Sequence, residues 1–101
     1  MFVKFREWNC TIKASYYSND RKAIQLWNPD DGPIATASVN IVDLDCPDDQ
    51  VWIKNYAENE GMEESLIKAG IIDPEPLLEA DSAFVTVRRF KLTQEALLLW
   101  Q

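Results

Sequence analysis

Apolar and polar residues alternate in twos along the first 42 positions, and the period changes to a helical one only after residue 55. Phe2 to Trp8 and Cys10 to Tyr17 are rich in aromatic and β-branched residues and read as two strands. In the second, Cys10, Ile12, Ala14 and Tyr16 share the face expected to point inward. Ser18-Asn19-Asp20 forms a turn cluster, because these side chains bond their own backbone. Lys22 to Asn28 is a third strand and Ile34 to Val42 a fourth, separated by the turn signal Asn28-Pro29-Asp30-Asp31-Gly32-Pro33. Ala35, Ala37, Val39 and Ile41 are expected to face inward.

After the acidic loop Asp43–Gln50, Val51-Trp52-Ile53 reads as a brief strand. A helix is predicted over about 59–69, with Asn59 as its cap and Met62, Leu66 and Ala69 forming its apolar stripe. Glu64 and Lys68 stand in the favourable i,i+4 order, and Gly70 supplies a left-handed stop. Leu77-Leu78 reads as one helical turn and Ala83 to Leu92 as a last strand, with Phe84, Thr86, Arg88 and Phe90 on one face. Thr93 is placed to cap a short helix over Gln94–Trp100. The expectation is an α+β fold. One antiparallel meander of five to six strands would carry the main helix on one face and the short C-terminal helix beside it.

A length of 101 residues with 47% hydrophobic and 11% aromatic residues fits one domain, 1–101, with one core. The N-terminus alternates charged and apolar residues where a signal peptide carries a continuous apolar stretch, so the expected location is the cytoplasm. Two cysteines are too few for a disulfide scaffold. Cys10 is expected as a buried small hydrophobe; Cys46, beside Pro47, is expected to have its pKa raised by acidic neighbours.

Charge departs further from the average. The formal net charge is −7, but Asp43 to Asp81 holds twelve acids against only Lys54 and Lys68, a segment net of −10. The remainder carries a net of +3. Such a middle is a poor direct ligand for nucleic acid, which needs a basic footprint. The chain has no histidine, which removes the commonest general base and excludes Ser–His and Cys–His catalysis. Gly32, Gly61 and Gly70 are not spaced as a phosphate loop. Asp43-x-Asp45 and Asp48-Asp49 lack the glycine and the ligand count of a calcium loop. The expectation is therefore no enzyme, no metal and no cofactor. Tyr17 and Trp27 fall on the polar faces of their strands and are candidate exposed anchors for a protein partner. Arg88, Arg89 and Lys91 read as charges that protect an edge strand.

Three segments carry a resemblance: Gly32-Pro33-Ile34-Ala35-Thr36-Ala37-Ser38-Val39-Asn40-Ile41, Ile53-Lys54-Asn55-Tyr56-Ala57-Glu58-Asn59-Glu60-Gly61-Met62 and Leu66-Ile67-Lys68-Ala69-Gly70-Ile71-Ile72. Over roughly Ala23 to Leu92 the chain resembles a family of small uncharacterised bacterial proteins found largely on phages, plasmids and integrated elements. It departs from that family at Asp73–Ser82, where an acidic, proline-containing stretch replaces Thr-Gly and Ser-Gly. No activity is attached to the family, so the resemblance implies company with mobile elements and no catalytic residue. With the acidic middle, it suggests an inhibitor of a host nucleic-acid-targeting defence system, comparable to anti-CRISPR proteins. Asp43, Asp45, Asp48, Asp49, Glu58, Glu60, Glu63 and Glu64 would then enter the basic channel of an effector complex. The rival expectation is an adaptor that binds a protein, or itself as a homodimer, through Trp27 or the tail Leu97-Leu98-Leu99-Trp100.

Overall fold

The computed structural model describes residues 1–101 and is α+β. Seven strands run Phe2–Phe5 (β1), Trp8–Tyr16 (β2), Lys22–Asn28 (β3), Gly32–Thr36 (β4), Gln50–Ile53 (β5), Leu78–Ser82 (β6) and Val85–Lys91 (β7). Helix α1 spans Met62–Lys68, after a 3-10 turn at Ala57–Asn59. Helix α2 spans Gln94–Leu97 and continues as a 3-10 turn through Trp100. No helix is long and apolar enough to cross a membrane.

The strands form two antiparallel sheets and not the single meander expected: β1-β2-β3-β4, and β5-β7-β6. The first is a true meander. Its β3–β4 turn closes where Asn28 Oδ1 accepts the amides of Asp30 (2.9 Å) and Asp31 (3.1 Å), and Gly32 takes φ +79°. The fourth strand does not run on to Val42 because the chain changes partners. The Ala37 amide still donates to Ile24 (2.8 Å), but the next bonds go to the other sheet. The Val39 amide donates to Trp52 (3.0 Å), the Lys54 amide donates to Ala37 (2.9 Å), and Ser38 bridges Ile53. The buried Ser38 hydroxyl compensates on the first side, accepting the Ile24 amide at 2.9 Å. Residues 37–39 are thus a strap between β3 and β5.

Leu77-Leu78 does not form a helical turn. Leu78 opens β6, which pairs with β7 from Leu78↔Arg89 to Ser82↔Val85 across a two-residue turn, Ala83-Phe84. Phe84 therefore leaves the strand in which it was expected and stands fully exposed.

Helix α1 is shorter than expected and is not capped by Asn59. Gly61, at φ +92°, holds its N-cap position, and Asn55 Oδ1 accepts the Glu63 amide at 2.8 Å. Asn59 is buried and donates its side-chain amide to the Thr36 carbonyl. Gly70 does adopt a left-handed conformation, φ +75°. Met62 and Leu66 are fully buried and α1 packs on β1. The core draws Val3, Phe5, Cys10, Ile24 and Leu26 from the first sheet and Val51, Ile53 and Phe90 from the second, with Met62, Leu66, Ile71, Ile72, Leu92 and Ala96 closing it. Tyr16, expected inward with Cys10, is exposed, since β2 outruns the core at that end.

Candidate functional site

The loop between the strap and β5 carries Asp43, Asp45, Asp48 and Asp49, and nearby cations hold it by its carbonyls. Arg21 donates to the carbonyls of Ile41 (2.8 Å) and Leu44 (2.6 Å). Lys22 Nζ donates to the Asp48 carbonyl at 2.6 Å. The Asp45 carbonyl accepts from the Trp52 indole N–H (2.9 Å) and from Arg89 (3.2 Å). One long pair links a cation to a loop carboxylate, Arg89 to Asp45 Oδ2 at 3.9 Å, with the Asp45 side chain 86% exposed. The result is layered: three cations, Arg89 only 15% exposed, hold the backbone of a turn on which Asp43, Asp45 and Asp48 are exposed and Asp49 is half-buried. Hydrogen bonds from charged donors are the stronger class, so the loop is well fixed.

The four glutamates expected to extend this surface are placed differently. Glu63 is buried, and its carboxylate is clamped by Arg88, with Nε donating to Oε2 at 3.3 Å. That bond holds the Arg88 guanidinium above its ordinary pKa. Glu58 pairs with Lys54 at 2.5 Å, and this bond holds its carboxyl below the usual range while raising Lys54. Glu64 meets Lys68 at 3.3 Å, the expected i,i+4 pair, with both side chains about three-quarters exposed and the pair correspondingly weak. Glu60 and Glu64 line a shallow, open pocket of about 340 Å³ with Lys4, Arg6, Ser65 and Lys68. Its alternating signs and single apolar lining residue, Phe5, give it no obvious ligand chemistry.

The two aromatic anchors are half-buried and engaged. Tyr17 shares a 2.8 Å hydrogen bond with the strap hydroxyl of Ser38. The Trp27 indole donates to Gln25 Oε1 at 3.0 Å, and Lys13 Nζ lies 5.1 Å from its ring centroid. Cys46 is half-buried with its thiol against the Gln50 carbonyl. Burial pushes its pKa up first; Arg21 and Arg89 oppose that, and Asp45 adds to it. Burial also raises Cys10. No three Asp, Glu or Cys side chains gather as a metal would require.

Sequence reasoning missed Arg21, Lys22 and Arg89 as the supports of the loop. The available signal was that Arg21-Lys22 follow a turn with one acid neighbour, Asp20, and so had cationic donors to place elsewhere. Compared with protein-family models, curated proteins and solved structures, the chain matches none of them.

Proposed function

We propose that the chain is a non-enzymatic binding protein that presents the carboxylates of Asp43, Asp45, Asp48 and Asp49 to a cationic, nucleic-acid-binding surface of another protein. A host defence effector is the partner class the reading names, in the manner of anti-CRISPR inhibitors. One observation supports it: the basic side chains around the loop take its carbonyls and leave Asp43, Asp45 and Asp48 exposed, with Asp49 half-buried beside them. A loop held this way loses little freedom on binding, and its charge accelerates encounter with a basic channel. The contact set is the four aspartates. Glu58, Glu63 and Glu64 have cationic partners within the chain, and Glu60 sits among Lys4, Arg6 and Lys68.

The test uses a panel of purified RNA-guided nucleases and the variant D43N/D45N/D48N/D49N. Wild type should block target binding by at least one member. The variant should associate at least about tenfold more slowly, with a flatter salt dependence. Equal binding by the variant, or no member bound, refutes the reading.

The tail that the adaptor reading names is engaged in part, with Leu98 left exposed. Leu97 and Trp100 pack against the core, and the Trp100 indole donates to the Ser15 carbonyl at 2.7 Å. Removing residues 93–101 would therefore strip part of the fold and not simply a dimer contact.

A further inference from the structure

Three of the four edge strands have a helix packed near them, a proline within them or the strap bonded to them. Strand β1 lies against α1, β4 carries Pro33, and the free side of β5 is taken by the strap through Val39–Trp52 and Ala37–Lys54. Strand β6 is bonded to β7 on one side and has no strand on the other. Its residues are all exposed or half-buried. An open edge is a row of unpaired amides and carbonyls that templates a further strand.

Side chains around this edge specify what it would take. Leu77 and Leu78 are about half exposed and Phe84 is fully exposed at the adjoining turn. Glu79 and Asp81 alternate along β6, and Glu75 precedes it. No basic residue lies on the strand. Arg88, opposite Glu79, is already clamped by Glu63, and Asp81 is met by a neutral hydroxyl, Thr86, at 3.0 Å. A second copy of this chain fits badly. Antiparallel self-pairing centred on Ala80 sets each Glu79 against the partner copy's Asp81, and parallel self-pairing stacks each acid on itself. Like charges directly across a ladder are destabilising.

We propose that the β6 edge is a strand-addition site for an extended segment of another protein, with Lys or Arg at alternate positions against Glu79 and Asp81. Apolar residues between them would lie on the Leu78–Ala80 side, and Phe84 would cover one end. Main-chain hydrogen bonds supply the attachment, and the alternating charge supplies selectivity. The site shares no residue with the Asp43–Asp49 loop and stands whether or not that loop binds a basic channel.

The probe is a capped Lys-Thr-Lys-Val-Lys-Thr peptide, titrated into the ¹⁵N-labelled full chain at low salt. Amide shifts and slowed hydrogen exchange should concentrate in residues 77–86. E79K/D81K should weaken binding about tenfold or more and create binding to the matching Glu-Thr-Glu-Val-Glu-Thr peptide. Phe84→Ser, at a side chain with no packing to lose, should weaken it several-fold while leaving the spectrum otherwise folded. Shifts centred on the Asp43–Asp49 loop and unaffected by E79K/D81K would overturn the proposal, showing simple attraction of a polycation. So would an absence of exchange protection in β6, or a homodimer in light scattering that Phe84→Ser abolishes.

Discussion

Glu63 shows how an acid can be counted in a sequence and still be missing from a surface. On α1 it sits beside Met62 and one turn from Leu66, and all three are buried. A helical period finds the apolar stripe Met62–Leu66, but an acid at the stripe's margin reads as solvent-facing until a cation from elsewhere meets it. That cation is Arg88, 25 residues on, and no local spacing announces it. Arg88→Met should destabilise the fold by about 2–3 kcal/mol, because a buried carboxylate loses its partner. The effect should fall below the roughly 3–5 kcal/mol of fully enclosed pairs, since Arg88 is partly exposed. In E63Q/R88M the loss should be smaller than for Arg88→Met alone. Urea unfolding of the three proteins measures this. Equal losses would mean that packing of the arginine stem, and not its charge, is what matters.

Turns, the start of α2 and the stop after α1 obey rules that operate within a few residues, and these were among the most legible parts of the chain, whereas the start of α1 was not. Thr93 caps α2 as expected, with its hydroxyl accepting the Ala96 amide at 3.1 Å and donating to the Gly70 carbonyl at 2.6 Å. The bounds of β3, the Asn28–Gly32 turn and the left-handed Gly70 were likewise readable. Strand β6 was not. Leu-Glu-Ala-Asp-Ser has neither β-branched nor aromatic residues, and it is a strand because β7 offers it a ladder across a tight turn. Asn59 was misread for a related reason: an amide good for capping is equally good for satisfying a buried carbonyl, and Thr36 claims it. Thr93→Ala should cost about 1 kcal/mol for the cap. The orphaned Gly70 carbonyl adds to that, for a drop in Tm of several degrees in a domain of this size. Thr93→Ser should recover most of it. A melting curve for Thr93→Ala that overlays wild type would show that α2 does not depend on its cap.

The α+β class and most of the strands followed from periodicity, but the division into two sheets did not. It turns on Ser38, whose side chain stands in for a backbone acceptor while its backbone serves the other sheet. Periodicity sees only that Ala35 and Ala37 alternate; it cannot see where a strand changes neighbours. The candidate site was half legible in the same sense. The acids of the Asp43–Asp49 loop were evident, but not which acids would be neutralised, because Arg21, Arg88 and Arg89 reach their targets across the fold. Charge segregated along a sequence is therefore interleaved with opposite charge around α1 and left outward at that loop and along β6.

The first sheet is built wholly from residues 2–36 and the second wholly from 50–91, yet α1 from the later half covers β1 of the earlier one. The backbone crosses between them through a surface loop. A molecule so divided should be separable into two pieces that need each other. Fragments 1–44 and 45–101, expressed apart, should each lack cooperative unfolding and should reconstitute a one-to-one complex when mixed, with the circular dichroism and melting behaviour of the uncut chain. Independent folding of either fragment, or no association, would show that the common apolar interior is not what joins them.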